Sequence, residues 1–120
     1  MGLDQYAYRI KPPVENIRTS ENTEEISYWR KHPNLHGWME DLYTKRGGKE
    51  VFNCIPLQLF EEDLNQLEKD INQGKLPPTQ GFFFGNSFGD NEEKNHDLEF
   101  VKKAKESIDE GYFVYYDSWW

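Results

Sequence analysis

Tyr28-Trp29-Arg30-Lys31, followed by His32 and His36, gathers rings, permanent cations and imidazoles within nine residues of a 120-residue chain. Arginine grips phosphate or carboxylate through two parallel N–H bonds, and rings stack on planar groups. Such a cluster can therefore hold a small anionic or nucleotide-like ligand. It can equally be a piece of core in which Tyr28 and Trp29 are packed and Arg30 neutralises a nearby carboxylate. His36 stands one helical turn before Glu40, so a His–Glu contact is open to a general base and to a structural histidine alike.

Other reactive side chains are sparser. Cys54 is the only cysteine, and its neighbours Phe52, Asn53 and Ile55 predict a buried strand in which it acts as a small hydrophobe rather than a nucleophile. His32, His36 and His96 lack the paired spacing of a zinc site, so neither a metal nor a cofactor is expected. Phe82-Phe83-Phe84 is too apolar to face water on both sides, and alternation sends Phe83 opposite to its neighbours, toward a helix, a ligand or another chain. Trp119 and Trp120 pose the same choice at the chain end, with Asp117 near enough in sequence to orient Arg30 or His36. The candidate ligand-binding set is thus Tyr28, Trp29, Arg30, Lys31, His36, Phe83, Asp117 and Trp119. If the site catalyses, His36 is its acid or base, with Asp117 or Glu40 as the orienting carboxylate.

These residues need elements to position them. Residues 3–10 alternate, with Tyr6, Tyr8 and Ile10 on one side, which predicts a strand closed by Pro12-Pro13. Residues 14–23 read as a loop. Leu35, Trp38, Met39, Leu42 and Tyr43 recur at helical spacing after Pro33, and Gly47-Gly48 stop that helix; Gly37 inside it implies close packing. Residues 51–59 form a short strand interrupted by Pro56. Glu61, Glu62 and Asp63 open a second helix whose stripe is Leu64, Leu67 and Ile71. Leu76-Pro77-Pro78-Thr79 is a stiff connector to a strand at 81–85. Residues 86–95 read as a polar loop, and a third helix runs from Asp97 to Gly111 with Leu98, Val101, Ala104 and Ile108 inward. A strand at 112–116 follows. The expected fold is α+β: a small, mostly antiparallel or mixed sheet of about four strands with about three helices on one face, in a single domain of residues 1–120.

Composition narrows the partners. Hydrophobic residues make up 36% of the chain and aromatic ones 16%, so large rings carry much of the buried area. A formal net charge of −8 opposes phosphate backbones, and direct nucleic-acid binding is not expected. No apolar run reaches the length of a membrane span, and the N-terminus shows no basic segment followed by an apolar one. A single cysteine rules out an internal disulfide and fits a reducing cytoplasm.

Met1-Gly2-Leu3-Asp4, Tyr28-Trp29-Arg30-Lys31 with Asn34-Leu35-His36-Gly37-Trp38, Leu76-Pro77-Pro78-Thr79 before Gly81-Phe82-Phe83-Phe84-Gly85, and the terminal Tyr115-Tyr116-Asp117-Ser118-Trp119-Trp120 together resemble a family of small bacteriophage proteins. The resemblance spans nearly the whole chain and implies a setting in the host cytoplasm. Some relatives carry a phosphoglycerate kinase label. That activity needs two domains and nucleotide-binding loops, and residues 81–89 lack the Lys and the Ser or Thr of a phosphate-cradling loop.

Small size, acidity and the resemblance point to a phage accessory protein of host-takeover or anti-defence type, binding a host protein or a small anionic ligand. Two alternatives stand beside it. One is a small enzyme on a nucleotide-like metabolite, with Arg30 as anion clamp. The other is an interaction module that forms a homodimer through Trp119 and Trp120.

Overall fold

The structure is a computed structural model and describes residues 2–12, 22–79 and 89–120. Four strands form one antiparallel sheet in the order β2-β1-β4-β3. They are β1 (Asp4–Ile10), β2 (Glu24–Arg30), β3 (Leu57–Leu59) and β4 (Phe113–Trp119), accompanied by helices α1 (Pro33–Lys45), α2 (Glu61–Asn72) and α3 (Asn91–Asp109). The α+β class, the antiparallel sheet and the three helices are those expected.

Alternation in β1 turns Gln5 and Ala7 inward and leaves Tyr6 and Tyr8 on the opposite face, where their rings stack 5.9 Å apart. The inward side of β4 is Val114, Tyr116 and Ser118. Helical positions Leu35 and Met39 of α1, Leu64, Leu67 and Ile71 of α2, and Phe100, Val101 and Ala104 of α3 complete the same hydrophobic cluster. Each large side chain fully buried there contributes about 2–3 kcal/mol of transfer free energy.

β2 is a strand that the residue pattern did not disclose. It pairs with β1 from Asp4↔Arg30 to Arg9↔Glu24, with a register shift at Ala7/Tyr8. Trp29 is its one buried residue, so an apolar alternation never becomes visible. The expected strand at 81–85, including Phe83, lies outside the described residues. The segment before β3 also differs from expectation: residues 51–56 are not strand, and Cys54 is exposed with φ 61°. Phe52 takes the buried position instead. The Cys54 amide bonds Ser118 O at 2.8 Å, which bends the chain across the end of β4 before Pro56.

α3 starts six residues earlier than Asp97. Asp90 accepts the Glu93 amide at 2.9 Å and Glu93 accepts the Gly89 amide at 3.0 Å. The first bond satisfies an orphan donor of the first turn and the second ties the residue before the cap to that turn, so a polar stretch becomes helix. β4 likewise runs past Tyr116 to Trp119, because its whole length pairs with β1. Gly37 is explained by the connector after α2: a Cβ on Gly37 would lie 1.8 Å from Thr79 Oγ1.

Candidate functional site

The chain passes from β2 to α1 through Lys31, a non-glycine residue at φ 58° whose amide bonds Leu3 O at 2.8 Å. That left-handed step turns His32 inward, where it is 3% exposed. Gln5 then fixes its backbone from both sides, accepting the His32 amide at 2.8 Å and donating to its carbonyl at 3.0 Å. The imidazole Nε2 lies 2.8 Å from Asp97 Oδ2. A carboxylate only accepts, so Nε2 carries the proton. The other Asp97 oxygen accepts the Trp29 indole N–H at 2.9 Å. Glu93 Oε2 stands 3.7 Å from the His32 Nδ1.

The network continues inward. Gln5 Nε2 also donates to the Tyr116 hydroxyl at 3.1 Å, and that hydroxyl lies 2.8 Å from His36 Nδ1. Tyr116 and His36 are both fully buried. Burial raises the Tyr116 phenol far above its ordinary range and pushes the His36 imidazole down to about 4. Both stay neutral at pH 7, as buried groups do when the charged form is the costly one.

Outside this network a cleft of about 260 Å³ opens between β2 and α3, lined by Tyr28, Trp29, Arg30, His32, Asp90, Glu92, Glu93 and His96. The rings of Trp29 and His96 are 5.3 Å apart. Arg30 is drawn to Asp4, whose Oδ1 it meets at 3.4 Å beside the Tyr28 hydroxyl at 2.7 Å. The hydrogen bond to Asp4 also raises the Tyr28 phenol.

Of the residues singled out in the sequence, Tyr28, Trp29 and Arg30 do meet at one cleft. His36 does not join them. It packs 5.1 Å from the Phe52 ring and has no exposed surface; the imidazoles at the cleft are those of His32 and His96. Asp117 is buried and accepts the Ser118 amide at 2.9 Å. It lies on β4, two strands from Arg30. Glu40 and Lys31 are exposed, and Trp119 is 65% exposed. Among the described residues no three His, Cys, Asp or Glu side chains are arranged to hold a metal ion, and no helix is long and apolar enough to cross a membrane.

Asp97, Glu93, Gln5 and Tyr116 escaped the sequence reading. Two of them carry a signal there. Gln5 occupies the inward phase of β1 between Leu3 and Ala7, and Asp97 begins the stripe Asp97, Phe100, Val101, Ala104. A polar residue in a buried phase calls for a polar partner. No protein family, curated protein or solved structure matches the chain.

Proposed function

We propose that this chain is a phage accessory protein that works in the host cytoplasm by binding a host protein, and that the β2–α3 cleft docks a basic segment of that partner. The charge of the cleft carries the reading. Among the described residues, Asp90, Glu92 and Glu93 line it against one permanent cation, Arg30, which Asp4 already engages. A chain of net charge −8 adds a field that speeds encounter with a basic surface. An anionic, nucleotide-like ligand would meet that field as repulsion. The resemblance to phage proteins supports the setting.

Capture from a bacterial lysate tests this with wild-type protein and the Glu92→Lys variant side by side. A partner retained by the wild type and lost on charge reversal is the expected result. Nucleotides that raise the melting temperature, with no protein captured, would sink it. A second reading is favoured by one geometry: Asp97 orients His32 as it would orient a general base. Turnover of a metabolite lost in His32→Gln would support that enzyme.

A further inference from the structure

We infer that an extended segment of the partner adds to the sheet as a new strand, antiparallel to β2, with its basic side chains turned toward α3. The step rests on the binding role proposed above and names how the basic segment is held. The sheet order leaves β2 and β3 as the two edges, and an edge strand offers main-chain donors and acceptors to another chain.

The two edges are not equivalent. β3 spans three residues, and its Gln58 O accepts a bond from Arg46, which Asp63 holds in turn over the Phe60 ring at 5.1 Å. Shortness and a covering side chain are common ways to close an edge. β2 spans seven residues. Its register with β1 steps from Ala7↔Ser27 to Tyr8↔Glu25, so Ile26 is an extra, bulged residue and that half is closed to regular pairing. Residues 27–30 carry no bulge, and no described side chain bonds their main chain.

The pairing phase identifies the open groups. The Lys31 amide bonds Leu3 O, and bonded pairs alternate along an antiparallel ladder. Ser27 and Trp29 therefore turn their main chain to β1, opposite Ala7 and Gln5, whereas Tyr28 and Arg30 turn theirs outward. Among the described residues nothing bonds those outward N–H and C=O groups. Tyr28 and Arg30 are both exposed.

The flanks decide what the added strand carries. Its residues opposite Tyr28 and Arg30 fall on the outer face of the sheet, where the Tyr28 ring packs 5.3 Å from Tyr6. An apolar β-branched side chain suits that place. Its residue opposite Trp29 points the other way, toward α3, where Asp90, Glu92 and Glu93 border the edge. Lysine or arginine suits that place. The open edge is the site; the carboxylates set only the sign of what fits it. A second copy would set −8 against −8, so a basic segment is the favoured occupant.

The test is amide hydrogen exchange by NMR on the full chain, free and with capped Thr-Val-Lys-Val-Lys-Val-Thr. In the free chain the Trp29 amide is expected to exchange slowly and the Tyr28 and Arg30 amides fast. Peptide at about ten times its dissociation constant should slow those two about tenfold. N-methylation of the valines, whose main chain faces β2 in this register, should abolish the protection, and N-methylation of the lysines should leave it. Glutamate in place of both lysines should weaken binding about fivefold or more. Arg30→Pro removes an outward donor that the sheet does not use. It should abolish binding even though loss of a cation favours a basic peptide; if that variant does not fold, the N-methylated peptides decide on the wild type. Slow exchange of Tyr28 and Arg30 in the free chain, or slowing that grows with protein concentration alone, would overturn the inference by showing the edge already covered or taken by a second copy. Equal binding of the two N-methylated peptides would overturn it as well. If the peptide leaves exchange unchanged while Glu92→Lys still abolishes lysate capture, the strand addition falls and the binding role stands. If the peptide protects the edge but no partner is captured, the edge site stands and the host-protein role falls.

Discussion

His36 shows what one buried ionisable side chain does to a small domain. Its imidazole is held near 4 where 6.5 is ordinary. Between those values the unfolded chain binds a proton that the folded chain refuses. The stabilisation is therefore complete above pH 6.5 and is lost as pH falls toward 4, by roughly 3 kcal/mol in all. Urea denaturation at about pH 7 and about pH 4.5 should show a steep loss in the wild type, and His36→Gln, which cannot titrate, should flatten that slope. A variant with the same slope would mean that other groups carry the acid sensitivity. Gly37 makes a second residue-scale case. Gly37→Ala places a methyl 1.8 Å from Thr79 Oγ1, and is expected to cost about 1–3 kcal/mol by overpacking. Thr79→Gly in the same chain should recover part of that loss in the denaturation midpoint.

At the scale of elements, one carboxylate fastens two of them together. Asp97 on α3 receives both the Trp29 indole from β2 and the His32 imidazole just after it. Asp97→Ala leaves two buried donors without an acceptor and is expected to cost about 3 kcal/mol. Hydrogen exchange should then rise at the end of β2 and the start of α3 before it rises in β1 and β4. Uniform acceleration across the sheet would show that Asp97 supports global stability and no particular junction. The end of β4 offers a contrast between adjacent tryptophans. Trp120 bonds Phe52 O at 3.0 Å through its indole and shares two further bonds with Asn53. Trp120→Ala should therefore cost about 2 kcal/mol. Trp119, 65% exposed, should be replaceable by Ala within about 0.5 kcal/mol.

For the molecule as a whole, these tryptophans separate packing from association. A dimer built on Trp119 would sediment in a concentration-dependent way, and Trp119→Ala would abolish that dependence. With −8 charges on each copy, self-repulsion favours a monomer, and sedimentation is expected to be the same with and without the ring. A dimer that dissolves on Trp119→Ala would restore the aromatic end as an interaction surface. The fold also confines where function can sit. The polar network from Trp29 through Asp97, His32, Gln5 and Tyr116 to His36 runs from the cleft into the core. The outer end of that path borders the cleft; its inner end serves stability.

Residue order by itself determined the α+β class, the three helices and most of the core, because helical stripes such as Leu64, Leu67 and Ile71 are local patterns. It also singled out Tyr28, Trp29 and Arg30 as a group. It did not disclose β2, since Trp29 alone is buried there and the strand exists through its pairing with β1. It also picked His36 rather than His32 as the imidazole of the site. The two lie four residues apart, and their roles depend on Asp97, 65 positions from His32, and on Tyr116, 80 positions from His36. Only the tertiary structure brings those partners together. Burial and hydrogen bonding assign the role of an ionisable side chain, and both are set by residues distant in the chain.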